Sequence, residues 1–205
     1  MRFIHFKELL KDFTVFSLAD IRMVDETFQR RQLSEWQEKG YIKMIVRGHY
    51  VFSDLQLSEP VLYEIANRIY PPSYVSFETA LAFYGLIPES VYEICSASTR
   101  KTNRFSTSAG RFSYRTIMPA AFFGYTILTQ DNKRYKIAEI EKAVIDYLYL
   151  HAEAATDEAF QSLRLNADLF HEKVDPGKLA SYSGRIGQAK LSERVEAMRR
   201  FVNNA

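Results

Sequence analysis

The run Gln29-Arg30-Arg31-Gln32 sets four long hydrogen-bonding side chains just ahead of the apolar residues Leu33 and Trp36. Amides and guanidinium groups are the side chains that read purine edges bidentately, and guanidinium groups also hold phosphates. A second basic group follows within twenty residues. Lys43, Arg47 and His49 sit around Gly48 in a stretch of β-formers, and a basic hairpin tip suits a minor groove or a phosphate chain. A solvated turn that happens to carry an arginine has the same composition. The third group is Arg100, Lys101, Arg104, Arg111 and Arg115, interleaved with Phe105, Phe112 and Tyr114. That mix suits a nucleic-acid backbone with stacking support, or an acidic partner. In alternating strands it also arises when aromatic residues face a core and basic residues face water.

Signals of catalysis are sparse. The chain has no phosphate-binding glycine loop, no His-Glu-x-x-His helix and no Gly-x-Ser-x-Gly elbow. His5, His49, His151 and His171 fall in separate segments. Glu139, Glu141 and Lys142 faintly resemble a metal-nuclease edge, but no aspartate stands on a preceding strand. They read better as the acidic first turn of a helix. No catalytic, cofactor-binding or metal-binding residue is assigned, no cofactor is expected, and the chain reads as non-enzymatic. Cys95 is the single cysteine, which excludes an intrachain disulfide and a cysteine-based zinc cluster. Its apolar setting, Val-Tyr-Glu-Ile-Cys, predicts a buried thiol. No apolar run approaches the ~20 residues of a membrane span, and no signal-peptide pattern opens the chain. Together these predict a cytoplasmic protein without a membrane partner.

The elements that must position these groups can be read from periodicity. Phe6, Leu9, Leu10 and Phe13 predict a first helix over about His5 to Phe13. Ser17 caps a second, Leu18 to Met23. Asp25 is expected to cap a third, Asp25 to Lys39, stopped by Gly40, with Phe28, Leu33 and Trp36 inward. Tyr41 to Val46 then pairs with His49 to Phe52 across Arg47-Gly48. Three helices and a hairpin are the outline of a winged helix-turn-helix; the same outline also serves protein contacts. Asp54 to Pro60 reads as a linker.

Beyond it lie helices Glu59 to Tyr70 and Phe77 to Tyr84, the latter capped by Ser76 and ended by Gly85. A β-rich block follows: Val91 to Thr99, Arg104 to Thr107, Arg111 to Met118, Phe122 to Leu128 and Arg134 to Ile137. Helices return after Ala138, on an apolar face of Ala143, Val144, Tyr147, Leu148 and Leu150. Further ones are expected over Asp157 to Leu165, Pro176 to Tyr182 and Ala189 to Val202. The fold class is α+β. Residues 1–56 are expected to form the winged helix-turn-helix, and 57–205 a domain with a mainly antiparallel sheet and C-terminal helices. Charge is uneven although the net is only +2. Eight basic residues face one acid between Arg100 and Lys136, and six acids face one lysine between Ile137 and Ser162.

The segment Pro72-Ser73-Tyr74-Val75-Ser76-Phe77-Glu78-Thr79-Ala80-Leu81, followed by Tyr84-Gly85-Leu86-Ile87-Pro88-Glu89, resembles the AbiEi-type antitoxins of bacterial toxin–antitoxin and abortive-infection systems. So do Ile65-Ala66-Asn67-Arg68-Ile69-Tyr70, Lys39-Gly40-Tyr41-Ile42 leading to Arg47-Gly48-His49-Tyr50, and Ile137-Ala138 with Glu141-Lys142-Ala143. The likeness runs in one order over about residues 5 to 150 and ends before Thr156. It implies a transcriptional autorepressor that binds double-stranded DNA at an inverted repeat upstream of its own operon, as a homodimer or cooperatively. It also implies an antitoxin acting on a nucleotidyltransferase-like toxin without a stable complex. DNA contacts transfer to Gln29, Arg30, Arg31 and Arg47. Pro72 to Ser76 reads as structural, without convergent polar groups. The alternative is a stand-alone regulatory or interaction module whose basic face, 100–115, binds an acidic protein or RNA.

Overall fold

The computed structural model describes residues 2–88 and 93–204. The chain is mixed α+β. It begins α1 (Phe3–Leu9), β1 (Phe16–Ser17), α2 (Leu18–Val24), α3 (Arg31–Glu38), β2 (Ile42–Val46) and β3 (His49–Phe52). The three strands form an antiparallel sheet in the order β1-β3-β2. Ser17 caps α2 reciprocally: its Oγ accepts from the Asp20 amide, and Asp20 accepts from the Ser17 amide. Such a box satisfies donors that a helix start leaves orphaned. Gly40 ends α3 with φ +69°, a conformation that costs glycine little.

Helix α3 is shorter than the pattern predicts. Asp25 does not cap it; Asp25 closes α2, and its Oδ1 accepts from both the amide and the hydroxyl of Thr27. Aspartate that satisfies the backbone two residues on competes with helix. Gln29 and Arg30 therefore lie in the turn before α3, and only Arg31 and Gln32 lie on it. Helix α1 likewise starts earlier and stops at Leu9 rather than Phe13.

The remainder is a six-stranded sheet in the order β6-β7-β5-β4-β9-β8, flanked by helices. Its strands are β4 (Ser73–Val75), β5 (Glu93–Ser98), β6 (Asn103–Thr107), β7 (Gly110–Thr116), β8 (Tyr125–Gln130) and β9 (Lys133–Ala138). The expected strand starting at Val91 has its first two residues outside the described ones. The sheet is mixed: β5 pairs parallel with β7, and β4 pairs parallel with β9. The other pairings are antiparallel. Strand β4 escaped the sequence reading because three residues between Pro72 and Ser76 carry too short a pattern to show a period of two.

Helix α4 (Glu59–Ile69) packs across β4, β5 and β9, and α5 (Phe77–Phe83) and α6 (Ile140–Leu150) pack on the opposite face. Four more helices follow: α7 (Asp157–Leu163), α8 (Ala167–Lys173), α9 (Pro176–Ile186) and α10 (Ala189–Asn204). Helix α8, started by an Asn166 side-chain cap, was not foreseen.

Two hydrophobic cores result. The first is drawn from Phe6, Leu10, Phe16, Ile21, Phe28, Leu33, Trp36, Ile42, Tyr50 and Phe52. The second spans the six-stranded sheet and its helices, and takes in Phe160, Leu191 and Met198. The helices after residue 156 thus belong to the body of the second unit. Val15, Ile45 and Val51 join that second core from the first sixty residues. Around them Arg68 donates to the Val15 carbonyl, Thr14 donates to Glu64, and Lys7 pairs with Asp54.

Candidate functional site

Three groupings carry functional side chains. The first lies on the N-terminal unit. Leu33 and Trp36 are buried, the Trp36 ring 4.4 Å from Phe6 and 5.6 Å from Phe28. That anchoring turns Gln29, Arg30 and Arg31 outward. Arg31 Nε stands 3.2 Å from Glu35 one turn on, so its guanidinium is partly engaged. Arg47 is exposed at the β2–β3 turn, beside Gly48 with φ +84°. Lys43 is exposed too, but it borders a shallow cleft that also holds Ser108 and Ala109 of the second unit. His49 is half-buried on β3 opposite Ser17, and its Nδ1 is buried without a hydrogen-bond partner among the described residues. The sequence set therefore divides: Gln29, Arg30, Arg31, Lys43 and Arg47 are presented to solvent, Lys43 at the edge of that cleft, whereas Gln32 and His49 are half-buried.

The second grouping is the basic stretch. Along β7, Phe112 and Tyr114 face α4, where the Tyr114 hydroxyl donates to the Ala66 carbonyl at 2.7 Å. Arg111, Ser113 and Arg115 take the other face, as strand alternation requires. They meet Arg104 from β6, Glu93 and Cys95 from β5, and Glu78 from α5 around a cavity of about 470 Å³. Arg100 and Lys101 are not part of it. Arg100 lies 3.9 Å over the Tyr70 ring and donates to the Pro71 carbonyl, and the Lys101 carbonyl accepts from Tyr70. The five-residue basic face expected from sequence is thus three residues in a concavity and two tied to the α4–β4 corner.

Inside the cavity the acids are partly answered. Glu78 accepts from His151 Nε2 at 3.1 Å, and His151 Nδ1 faces Glu153 at 2.7 Å. Burial alone would raise the Glu78 carboxyl; the His151 hydrogen bond and charge, with Arg115 further away, outweigh it and hold it below its ordinary range. The bond to Glu78, against burial, lifts His151 above the usual histidine value. Glu93 comes within 3.8 Å of Arg104. Cys95 is half-buried at the cavity wall rather than buried as its apolar setting predicts. Its partial burial pushes the thiol up to about 11, so at neutral pH it is protonated and a poor nucleophile.

The third grouping was missed. Lys142 and Asp146, one turn apart on α6, form an ion pair whose side chains are 0% and 1% exposed. Lys142 Nζ also donates to the Tyr74 hydroxyl at 2.9 Å. Asp146 Oδ2 accepts from Tyr74 at 2.8 Å and from Ser76 at 2.7 Å. The Pro72–Ser76 segment does carry convergent polar groups, contrary to the sequence reading. Ser76 spends its hydroxyl on Asp146 and makes no side-chain cap for α5. Burial lowers Lys142 and raises Asp146, while each charge resists that shift in the other. The visible signal was a lysine and an aspartate four apart around Ala143-Val144-Ile145. Neither side chain reaches the surface, so the pair acts as a strut. Glu139 and Glu141 do stand at the start of α6 as expected, where Lys178 of α9 pairs with both, at 3.2 and 3.1 Å.

Among the described residues no cluster of three or more His, Cys, Asp or Glu is placed to hold a metal. No described helix is long and apolar enough to cross a membrane. No family model matches the chain, and no curated protein matches it.

Proposed function

We propose that the protein is a DNA-binding transcriptional autorepressor, with residues 1–56 acting as a winged helix-turn-helix. One observation carries this reading. A single aromatic core holds α3 by Leu33 and Trp36 and the β2–β3 hairpin by Ile42, Tyr50 and Phe52, leaving Arg30, Arg31 and Arg47 outside it. The order of α1, β1, α2, α3, β2 and β3 supports it, since a helix start beside a basic hairpin suits a groove and its flanking phosphates. Arg31 and the turn residues Gln29 and Arg30 read bases; Arg47 anchors the backbone. The antitoxin activity against a nucleotidyltransferase-like toxin, and the inverted-repeat operator bound by two copies, rest on the resemblance to AbiEi-type antitoxins.

The test is a gel-shift titration of the purified protein on the DNA upstream of its gene, with scrambled competitor at two salt concentrations. A shift that survives competitor supports the reading. Arg31→Ala weakens it by about 1–3 kcal/mol if Arg31 reads a base. Arg47→Ala weakens binding to all sequences and lowers the salt slope by about 1. Unchanged binding in both folded variants would remove these residues from the interface.

A further inference from the structure

The layer formed by α5 and α6 leaves β5, β6 and β7 with the open cavity of about 470 Å³ described above. Arg104, Arg111 and Arg115 enter it from two neighbouring strands. Like charges gathered on one wall repel, and the two acids of the lining, Glu78 and Glu93, offset the three arginines only in part. Glu78 is already held by His151. Glu93 reaches Arg104 only at 3.8 Å, too long for a hydrogen bond. Among the described residues no hydrogen bond or ion pair holds the side chain of Arg111 or Arg115. Guanidinium groups meet phosphate oxygens bidentately, which makes such a cluster a phosphate seat.

A bare phosphate would leave most of that volume empty. Pockets of roughly 300–1,000 Å³ take ligands the size of metabolites. The Glu93 carboxylate and the Ser113 hydroxyl add acceptors beside the arginines. We propose that this cavity binds a phosphorylated small molecule of mononucleotide size, with its phosphates on Arg104, Arg111 and Arg115 and its hydroxyl or amino donors on Glu93. This site is separate from the DNA-facing residues and does not depend on them.

Isothermal titration of the full chain with adenosine and guanosine diphosphates, inorganic phosphate and a single-stranded oligoribonucleotide tests it. The expected result is saturable one-site binding of a nucleoside diphosphate. Arg111→Gln and Arg115→Gln should each weaken it about ten-fold or more, the effect of losing a charge-assisted contact. Arg100→Gln, outside the cavity, should leave it unchanged. As a second readout, the bound nucleotide should slow alkylation of Cys95 at alkaline pH, because Cys95 lines the same cavity. No saturable nucleotide binding, phosphate binding as tightly as nucleotide, tighter binding of the oligoribonucleotide, or equal loss in Arg100→Gln would each overturn the proposal.

Discussion

The two cores bury themselves by different chemistry. The N-terminal core is a cluster of rings, with Phe6 within 6 Å of Phe16, Phe28, Trp36 and Phe52. The larger core is threaded by Lys142, Asp146, Tyr74 and Ser76, which bond one another where no water reaches. Rings hold by contact area and tolerate adjustment. A buried ion pair holds only while every member is present. The contrast teaches that the small unit is secured by volume alone, whereas the large one adds to its apolar volume a specific register between β4, α5 and α6.

Asp146→Ala should have the largest effect. Stranding a buried charge costs about 3–5 kcal/mol, and the orphaned Tyr74 and Ser76 hydroxyls add about 1–3 kcal/mol each. Urea unfolding should find little or no folded protein; a shift under about 2 kcal/mol would mean water reaches the pair. Phe6→Ala should cost about 3–5 kcal/mol. Trp36 is the chain's one tryptophan and lies in the same cluster, so its fluorescence reports that unit. If fluorescence and far-UV circular dichroism shift together, the two cores melt as one. Ser17→Ala should cost about 1 kcal/mol through the lost cap of α2, seen as a small fall in the urea midpoint.

The weakest effect concerns pH. His151 is raised, so its contribution is complete below the ordinary histidine value of 6.5 and fades as pH rises through the raised value. Glu78 is lowered, so its contribution is complete above 4.5 and fades as pH falls through the lowered value. Stability should therefore decline above pH 6.5 by an amount that His151→Gln abolishes. Identical midpoints for wild type at pH 6 and pH 9, beside an unchanged variant, would show that the pair contributes nothing.

Much of the N-terminal unit was legible because its signals are local. Ser17 and Asp20 stand three apart as a capping box, Arg47-Gly48 makes a turn, and Leu33 and Trp36 share a helix face. The misplaced start of α3 came from Asp25, a residue equally suited to capping a helix and to closing a turn. The cavity was half legible. The alternation of Arg111, Ser113 and Arg115 with Phe112 and Tyr114 announced two faces. That Glu78 and His151 would close one side, and that Arg100 would fold back on Tyr70, depends on chain crossings no local pattern encodes. The Lys142–Asp146 pair lay open in its spacing, yet surface pairs have the same spacing; only the placement of β4 between β5 and β9, which brings Tyr74 and Ser76 onto the pair, puts it inside.

Asp20 serves two structures at once. One carboxylate oxygen starts α2 by accepting from Ser17, and the other takes Arg68 of α4 at 3.0 Å. The carboxylate that begins the helix thus also ties it to the body. Such a mount works as a gauge. Were two copies to stand side by side, the separation of their α3 helices would be built into the bodies, and a duplex would have to offer its grooves at that interval or go unread.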